Sequence, residues 1–257
     1  MPDLLDLTGK KVKSIRAPKA FTARVDEKLI SRAFWIMFTH HLQRKGRDPL
    51  AGERTSAQSW QTGHGVARVA RIKGEKNPRS GQAGGVDSVV KGRLAHPSRA
   101  EKVIYKNINR KERDLATLSA VSATAMSEYV ERRGHRLGKK VKLPLVVVDD
   151  LEKISKTSKM IGFLKKMGLE EEMERTSKGK YVHGRTKYGR GPLLVVTDDS
   201  KVRRASGNIN GLDVVVAKDV SVLDLAPGGR AGRLTVWTES AFKEAGKRLA
   251  GVIEGEA

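Results

Sequence analysis

The chain has 257 residues, with 51 Lys or Arg against 29 Asp or Glu, a net charge of +22 and no cysteine. A cationic excess of that size seeks anions, and without thiols there is neither a disulfide nor a thiolate metal site. No apolar run approaches the ~18 residues needed to span a bilayer, so nucleic acid ranks ahead of an anionic membrane surface, and no membrane partner is expected. Aromatic residues, at 5%, are too few for single-strand stacking to be the main mode of binding. The first residues lack the basic end, apolar middle and small-residue cleavage site of a signal peptide, which leads to the expectation of a cytoplasmic protein.

Residues 11–17 (KVKSIRA) alternate weakly before Pro18, a short or edge strand at best. A helix is predicted over 26–45, with Asp26 as cap, an apolar stripe from Leu29 to Leu42 and Gly46 as its stop. His40 and His41 are adjacent, about 100° apart on a helix, and make a poor metal pair.

Residues 46–102 have no sustained period of either 3.6 or 2. They hold nine of the 26 glycines, and between Arg47 and Arg99 ten Lys or Arg face four Asp or Glu. So little apolar area does not offset the entropy of ordering, and a loop this long in a compact domain is functional or disordered. It reads as a basic arm that takes its shape from a polyanion. The bland alternative is an interdomain linker, but linkers rarely space single arginines among Trp, His and Gln.

After the arm, Asn109 and Glu112 suggest a capping box for a helix over 109–133, and residues 132–142 form a second basic patch with six Lys or Arg and no acid. Residues 143–148 read as a buried strand, followed by Asp149, Asp150 and a helix to Met167 closed by Gly168. Residues 175–192 read as a glycine-rich basic loop, again with six Lys or Arg and no acid. Strands are predicted at 193–197, 212–217 and 234–237, a short helical piece at 200–206, and a last helix at 238–253. Continuous apolar strands alternating with helices indicate an α/β fold with a mostly parallel sheet and helices on both faces, Rossmann-like and three-layered. The expected domains are 1–45 with 103–257 as the globular part, and 46–102 as a long basic loop inserted between two helices.

The enzyme-like feature is a set of aspartates after two strand ends, Asp149, Asp150, Asp198 and Asp199, where open α/β sheets bind ligands and where clustered carboxylates could hold Mg²⁺ for phosphoryl transfer. The simpler reading is that Asp150 and Asp199 cap the helices that follow. Nucleotide-binding glycine motifs are absent, and residues 228–233 (GGRAGR) precede a strand where such a motif would follow one. The six histidines show no metal-ligand spacing. No catalytic residue, metal or cofactor is expected. Helix-turn-helix, zinc-finger and RRM signatures are missing as well, which favours structured RNA bound by shape and phosphate contact. The candidate contacts are Arg54, Trp60, His64, Arg68, Arg71, Lys73, Lys76, Arg79, Lys91, Arg93, His96 and Arg99 in the arm, with Arg185, Lys187 and Arg190 in the second loop. Trp60 can stack on a splayed base, and spaced cations between glycines let main-chain N–H groups approach phosphates.

Residues 52–60 (GERTSAQSW), 63–68 (GHGVAR) and 92–97 (GRLAHP) resemble the arm of the L-four family of large-subunit ribosomal proteins, in its archaeal form. The similarity continues through 109–113 (NRKER), 147–150 (VVDD), 208–215 (NINGLDVV), 224–229 (DLAPGG) and 232–241 (GRLTVWTESA). Ser98 stands where that pattern has a second proline. The resemblance implies a non-enzymatic rRNA-binding protein that joins the large subunit early in assembly. Its arm would help line the polypeptide exit tunnel, with residues 61–73, and also 81–92, near the tip. Its implied partners are large-subunit rRNA, neighbouring large-subunit ribosomal proteins and the nascent polypeptide. The rivals are the Mg²⁺-dependent enzyme and an RNA-binding regulator outside the ribosome.

Overall fold

The computed structural model describes residues 1–76, 78–138 and 141–254, so Lys139 and Lys140 of the second basic patch lie outside the described residues. Contacts divide the chain into two units, Met1–His40 with Lys106–Ala257, and His41–Tyr105. The segment expected as an arm, 46–102, falls within the second.

In the first unit β1 (Asp3–Leu5) pairs antiparallel with β2 (Lys11–Ser14) and parallel with β3 (Leu145–Val147). No strand is expected from the sequence at 3–5, because three residues carry no period to read. α1 (Glu27–Phe38) starts where Asp26 accepts the N–H groups of Lys28 and Leu29 at 2.9 and 3.1 Å. It ends well short of Lys45. The Thr39 hydroxyl donates to the Ile36 carbonyl and accepts the Lys106 N–H, while the His40 ring meets the Lys106 carbonyl at 2.7 Å. These bonds to the returning chain stop the helix, and Gly46 does not.

The helix predicted over 109–133 is two: α2 (Arg110–Thr124) and α3 (Ser127–Arg133), broken at Met126, whose backbone is extended. Asn109 sits in the cap position but makes no side-chain cap bond. The small residues of α2 serve close packing. Ser119 and Ser122 donate to the carbonyls of Arg24 and Ala23 at 3.1 and 2.5 Å.

After β3 the single predicted helix is a 3-10 turn (Asp149–Lys153) and then α4 (Thr157–Lys166). Gly168, at φ 75°, ends it as expected. The chain then forms α5 (Glu170–Ser177) and an antiparallel hairpin of β4 (Lys180–Val182) and β5 (Arg185–Lys187), where a loop is predicted. β6 (Leu193–Val196), α6 (Val202–Ser206), β7 (Asp213–Val216), α7 (Val222–Leu225), β8 (Thr235–Thr238) and α8 (Glu239–Glu254) complete the unit.

The six-stranded sheet has the order β2-β1-β3-β8-β6-β7, parallel except for β2. Alternate strand residues enter two separate cores. Val146, Leu193, Val195 and Trp237 join Phe21, Ile30, Phe34 and Phe242. Leu145, Val147, Leu194, Val196 and Val236 join Met160, Phe163 and Leu164. Burial on both faces is why these strands read as unbroken apolar runs.

Among its described residues the second unit has neither helix nor named strand beyond the 3-10 turn that His41 closes. Its regularity is two isolated antiparallel bridges, Gln58 to Arg71 and Arg71 to Ala83.

Candidate nucleic-acid interface

The second unit carries thirteen Lys or Arg against five Asp or Glu. Three strand-like segments are tied by backbone bonds: Gln58 and Arg71 exchange N–H and carbonyl at 2.9 and 3.0 Å, Ile72 donates to Gln82 and Gly84 donates to Ala70. A small apolar nest lies between them. A Cβ on Gly84 would come 3.0 Å from the Ile72 side chain and 3.3 Å from Ala57, so the segments close tightly there and a larger residue would push them apart by a few tenths of an ångström.

Arg71 is the centre of this nest. Its guanidinium donates to the Gly81 carbonyl at 2.8 Å and lies 5.6 Å from the Trp60 ring centroid, a cation–π distance. The Trp60 ring in turn meets His64 edge-on at 5.9 Å and remains 38% exposed. Arg54 is held by a two-point ion pair to Asp48, which keeps that carboxyl below the usual carboxylate range. Of the cations expected to meet phosphate, Arg71 and Arg54 thus have internal partners. Arg68, Lys73, Lys76, Lys91, Arg93 and Arg99 are exposed with no acidic partner among the described residues, and His64, Arg79 and His96 are exposed too. Gln61 and Lys91 sit at φ 65° and 62°, left-handed conformations that cost non-glycine residues free energy and cluster at functional sites.

In the first unit Arg185 and Lys187 stand exposed on β5. Arg190 pairs with Asp213 at 3.0 Å, and its carbonyl accepts from Arg175 at 2.6 Å. The second basic patch is partly turned inward. Arg132 pairs with Glu27, and Arg133 donates to the carbonyls of Arg230 and Pro227. Burial, then the neighbouring Arg233, Arg230 and Arg175 charges, lower the Arg133 pKa to about 10.

The strand-end carboxylates serve the fold. Asp149 accepts the backbone N–H and hydroxyl of Ser240 at 2.9 and 2.6 Å, capping α8 instead of the turn that follows it. Asp150 pairs with Lys153, and Asp199 pairs with Arg203, so neither side chain is the cap expected from the sequence. Asp198 closes a turn onto Ser200. The bridging group is Glu152, which accepts from Thr197 N–H, Asp198 N–H and the Thr238 hydroxyl across the ends of β6 and β8. Among the described residues no three His, Asp or Glu are placed to hold a metal ion.

Two buried polar hubs escape sequence reasoning. Glu172 and His135 are 0% and 1% exposed, with Oε1 and Nδ1 2.5 Å apart; Glu172 also accepts from Arg175 and from the Arg136 N–H. Arg233, 2% exposed, donates to the Gly191 and Asp224 carbonyls and to Asp213 at 2.5–2.9 Å. The available signal for Glu172 is that Leu169, Met173 and Thr176 share its helical face, which marks it off from Glu170 and Glu171.

A protein-family model described as the ribosomal protein L4/L1 family matches residues 15–248 of this chain. The chain belongs to that family. Members with high similarity are the large ribosomal subunit proteins uL4 of Saccharolobus solfataricus, 43% identical over 256 residues covering 96% of this chain and 94% of the relative, and of Sulfurisphaera tokodaii, 42% identical with the same coverage. That of Sulfolobus acidocaldarius is 41% identical over 257 residues. The match to the family embraces both the His41–Tyr105 unit and the β4–β5 hairpin.

Proposed function

We propose that this member of the ribosomal L4/L1 family binds large-subunit rRNA early in assembly through its His41–Tyr105 unit, and that residues near 61–73 help line the polypeptide exit tunnel, next to the nascent polypeptide. Family membership makes the chain a large-subunit ribosomal protein of the cytoplasmic ribosome, with rRNA and ribosomal proteins as its partners, and not an enzyme. The globular unit is read as a Rossmann-like three-layer base, and the second unit as an extended loop laid into rRNA.

The observation that carries this reading is that Arg68, Lys73, Lys76, Lys91, Arg93 and Arg99 stand exposed with no acidic partner among the described residues, on a unit with almost no apolar core. Each cation that meets a phosphate releases condensed counterions, so log affinity falls with log salt by roughly 0.7–0.9 per contact. The bonds around Arg71 bias the segment toward one path, and RNA supplies the rest of the ordering free energy. Arg54, Arg71 and Trp60 act by holding that path as much as by contact.

The test is binding of the purified chain to large-subunit rRNA fragments across a salt series, with an unrelated structured RNA as competitor. A steep negative slope with preference for the rRNA fragment is expected. A steep slope without preference refutes specific recognition, and no binding at moderate salt overturns the whole reading. For the tunnel, a photo-crosslinker at Val66, which is 42% exposed, should capture nascent chains on stalled ribosomes; capture only of rRNA would refute that assignment.

A further inference from the structure

The hairpin of β4 and β5 contributes nothing to either apolar core. Its cross-strand pairs are Lys180 with Lys187, Tyr181 with Thr186 and Val182 with Arg185, and it turns at His183 (φ 50°) and Gly184 (φ 76°). Cross-strand partners share a face and neighbours alternate. One face therefore carries Lys180, Arg185 and Lys187, and the other carries Tyr181.

Two features of this hairpin are costly for a chain that uses it alone. Like charges directly opposite each other destabilise a ribbon. Lys180 and Lys187 are such a pair, no Asp or Glu occurs between 175 and 192, and neither lysine nor Arg185 has an ion-pair partner among the described residues. Tyr181 is 76% exposed, the most exposed Phe, Trp or Tyr among the described residues, and Tyr188 just beyond β5 is 56% exposed.

The base of the hairpin is nevertheless fixed. Arg175 donates at once to buried Glu172 and to the Arg190 carbonyl, at 2.7 and 2.6 Å. Gly189 packs so close to Arg175 that a Cβ there would come within 2.8 Å of its guanidinium. A buried ion pair thus anchors an exposed, uncompensated cationic ribbon. An anion would relieve the repulsion at no cost in ordering the base.

We infer that the β4–β5 hairpin is a second RNA-binding element, in which Lys180, Arg185 and Lys187 contact phosphates and Tyr181 stacks on an unpaired base. The inference rests on the reading that the chain binds rRNA. RNA is the occupant that answers both faces: its backbone matches the charge, and a splayed base matches the open ring. An acidic protein surface would answer only the first. The ribbon is about 5 Å across from strand to strand, so RNA following its edge reaches both faces.

The experiment compares four full-length chains in the rRNA salt series: wild type, the charge variant Lys180→Gln/Arg185→Gln/Lys187→Gln, Tyr181→Ala, and a control in the other unit, Arg68→Gln/Lys73→Gln/Lys76→Gln. Thermal midpoints matching wild type establish that the hairpin variants fold. The charge variant should flatten the log–log slope by about 2 to 3, the value for three lost phosphate contacts. Tyr181→Ala should weaken binding roughly ten-fold with the slope unchanged. If the control weakens binding while both hairpin variants match wild type, the hairpin inference is overturned and the rRNA reading stands. If wild type itself does not bind, both fall. If the charge variant binds naked rRNA normally but fails to enter large-subunit particles, the hairpin faces an acidic protein, and RNA is refuted as its occupant.

Discussion

Replacing Glu172 by Gln keeps the side-chain volume and removes one buried charge. The carboxylate has no exposure, takes two bonds from Arg175 at 2.8 and 2.7 Å and one from the Arg136 N–H at 3.0 Å, and faces His135. Burial by itself would raise its pKa. The hydrogen bonds from Arg175, His135 and Arg136 outweigh that and hold it at about 2, against an ordinary 4.5. A displacement of that size corresponds to roughly 3 kcal/mol, within the range of about 3–5 kcal/mol for removing one partner of a buried ion pair. Near neutral pH, urea unfolding followed by far-UV circular dichroism should show a loss of about 3 kcal/mol, which at an m-value of roughly 2 kcal/mol/M lowers the midpoint by about 1.5 M.

The pH dependence checks the cause. A depressed carboxyl pKa contributes stability that is complete above the unfolded-state value of 4.5 and is lost as pH falls through about 2. The difference between wild type and Glu172→Gln should therefore shrink by about half between about pH 5 and about pH 3. His135 adds an earlier step. Burial lowers its pKa against the raising influence of Glu172, and its Nε2 is buried without a partner, so the fold keeps the ring neutral. That contribution is complete above 6.5 and declines as the pH falls below it. A loss under about 1 kcal/mol at neutral pH, or one that stays constant on acidification, would refute the ionised hub.

Arg233→Met should cost about 2–4 kcal/mol, because it orphans the Gly191 and Asp224 carbonyls and half of the partnership of Asp213; a thermal midpoint lowered by about 5–10 °C is expected, and no change would show that water replaces the guanidinium. Gly246→Ala should destabilise although it improves helix propensity by about 1 kcal/mol, because the new Cβ would sit 2.5–2.6 Å from Pro18. Gly251→Ala on the same helix has open space around it and should stabilise by roughly 0.5–1 kcal/mol; thermal melts that rank the two the other way would refute the packing. Deleting residues 55–95 should leave the Met1–His40 and Lys106–Ala257 unit unfolding cooperatively while rRNA affinity collapses. Loss of cooperative unfolding in that deletion would show that the two units do not fold separately.

The parts of the fold visible in the sequence were those where one physical signal dominated. β3, β6 and β8 are buried on both faces, so their apolar runs are continuous; β7, at the sheet edge, is half-buried but keeps an apolar run of three valines, and α8 shows an apolar stripe over four turns. β1 is a strand because β3 and β2 lie beside it; its three residues carry no pattern of their own. α5 and the β4–β5 hairpin were hidden because their residues are charged and mostly exposed, so composition spoke for a loop. α1 ends at Thr39 through bonds to Lys106, a residue 67 positions away, which no local stop signal announces.

The sequence by itself determined the net charge, its concentration in three acid-poor stretches, the apolar strand runs and the family motifs, because each is a property of neighbouring residues. The partner of each charge was decided only by the tertiary structure. Arg54, Arg71, Arg133 and Arg190 look like Arg68 or Arg185 in composition, yet the fold gives the first four an internal carboxylate, carbonyl or ring. Glu172, one of three consecutive glutamates, becomes the buried anchor of a hairpin for the same reason. Whether a charge is solvated, paired or left for a ligand depends on which distant groups folding brings within about 3 Å, and linear order does not encode that distance.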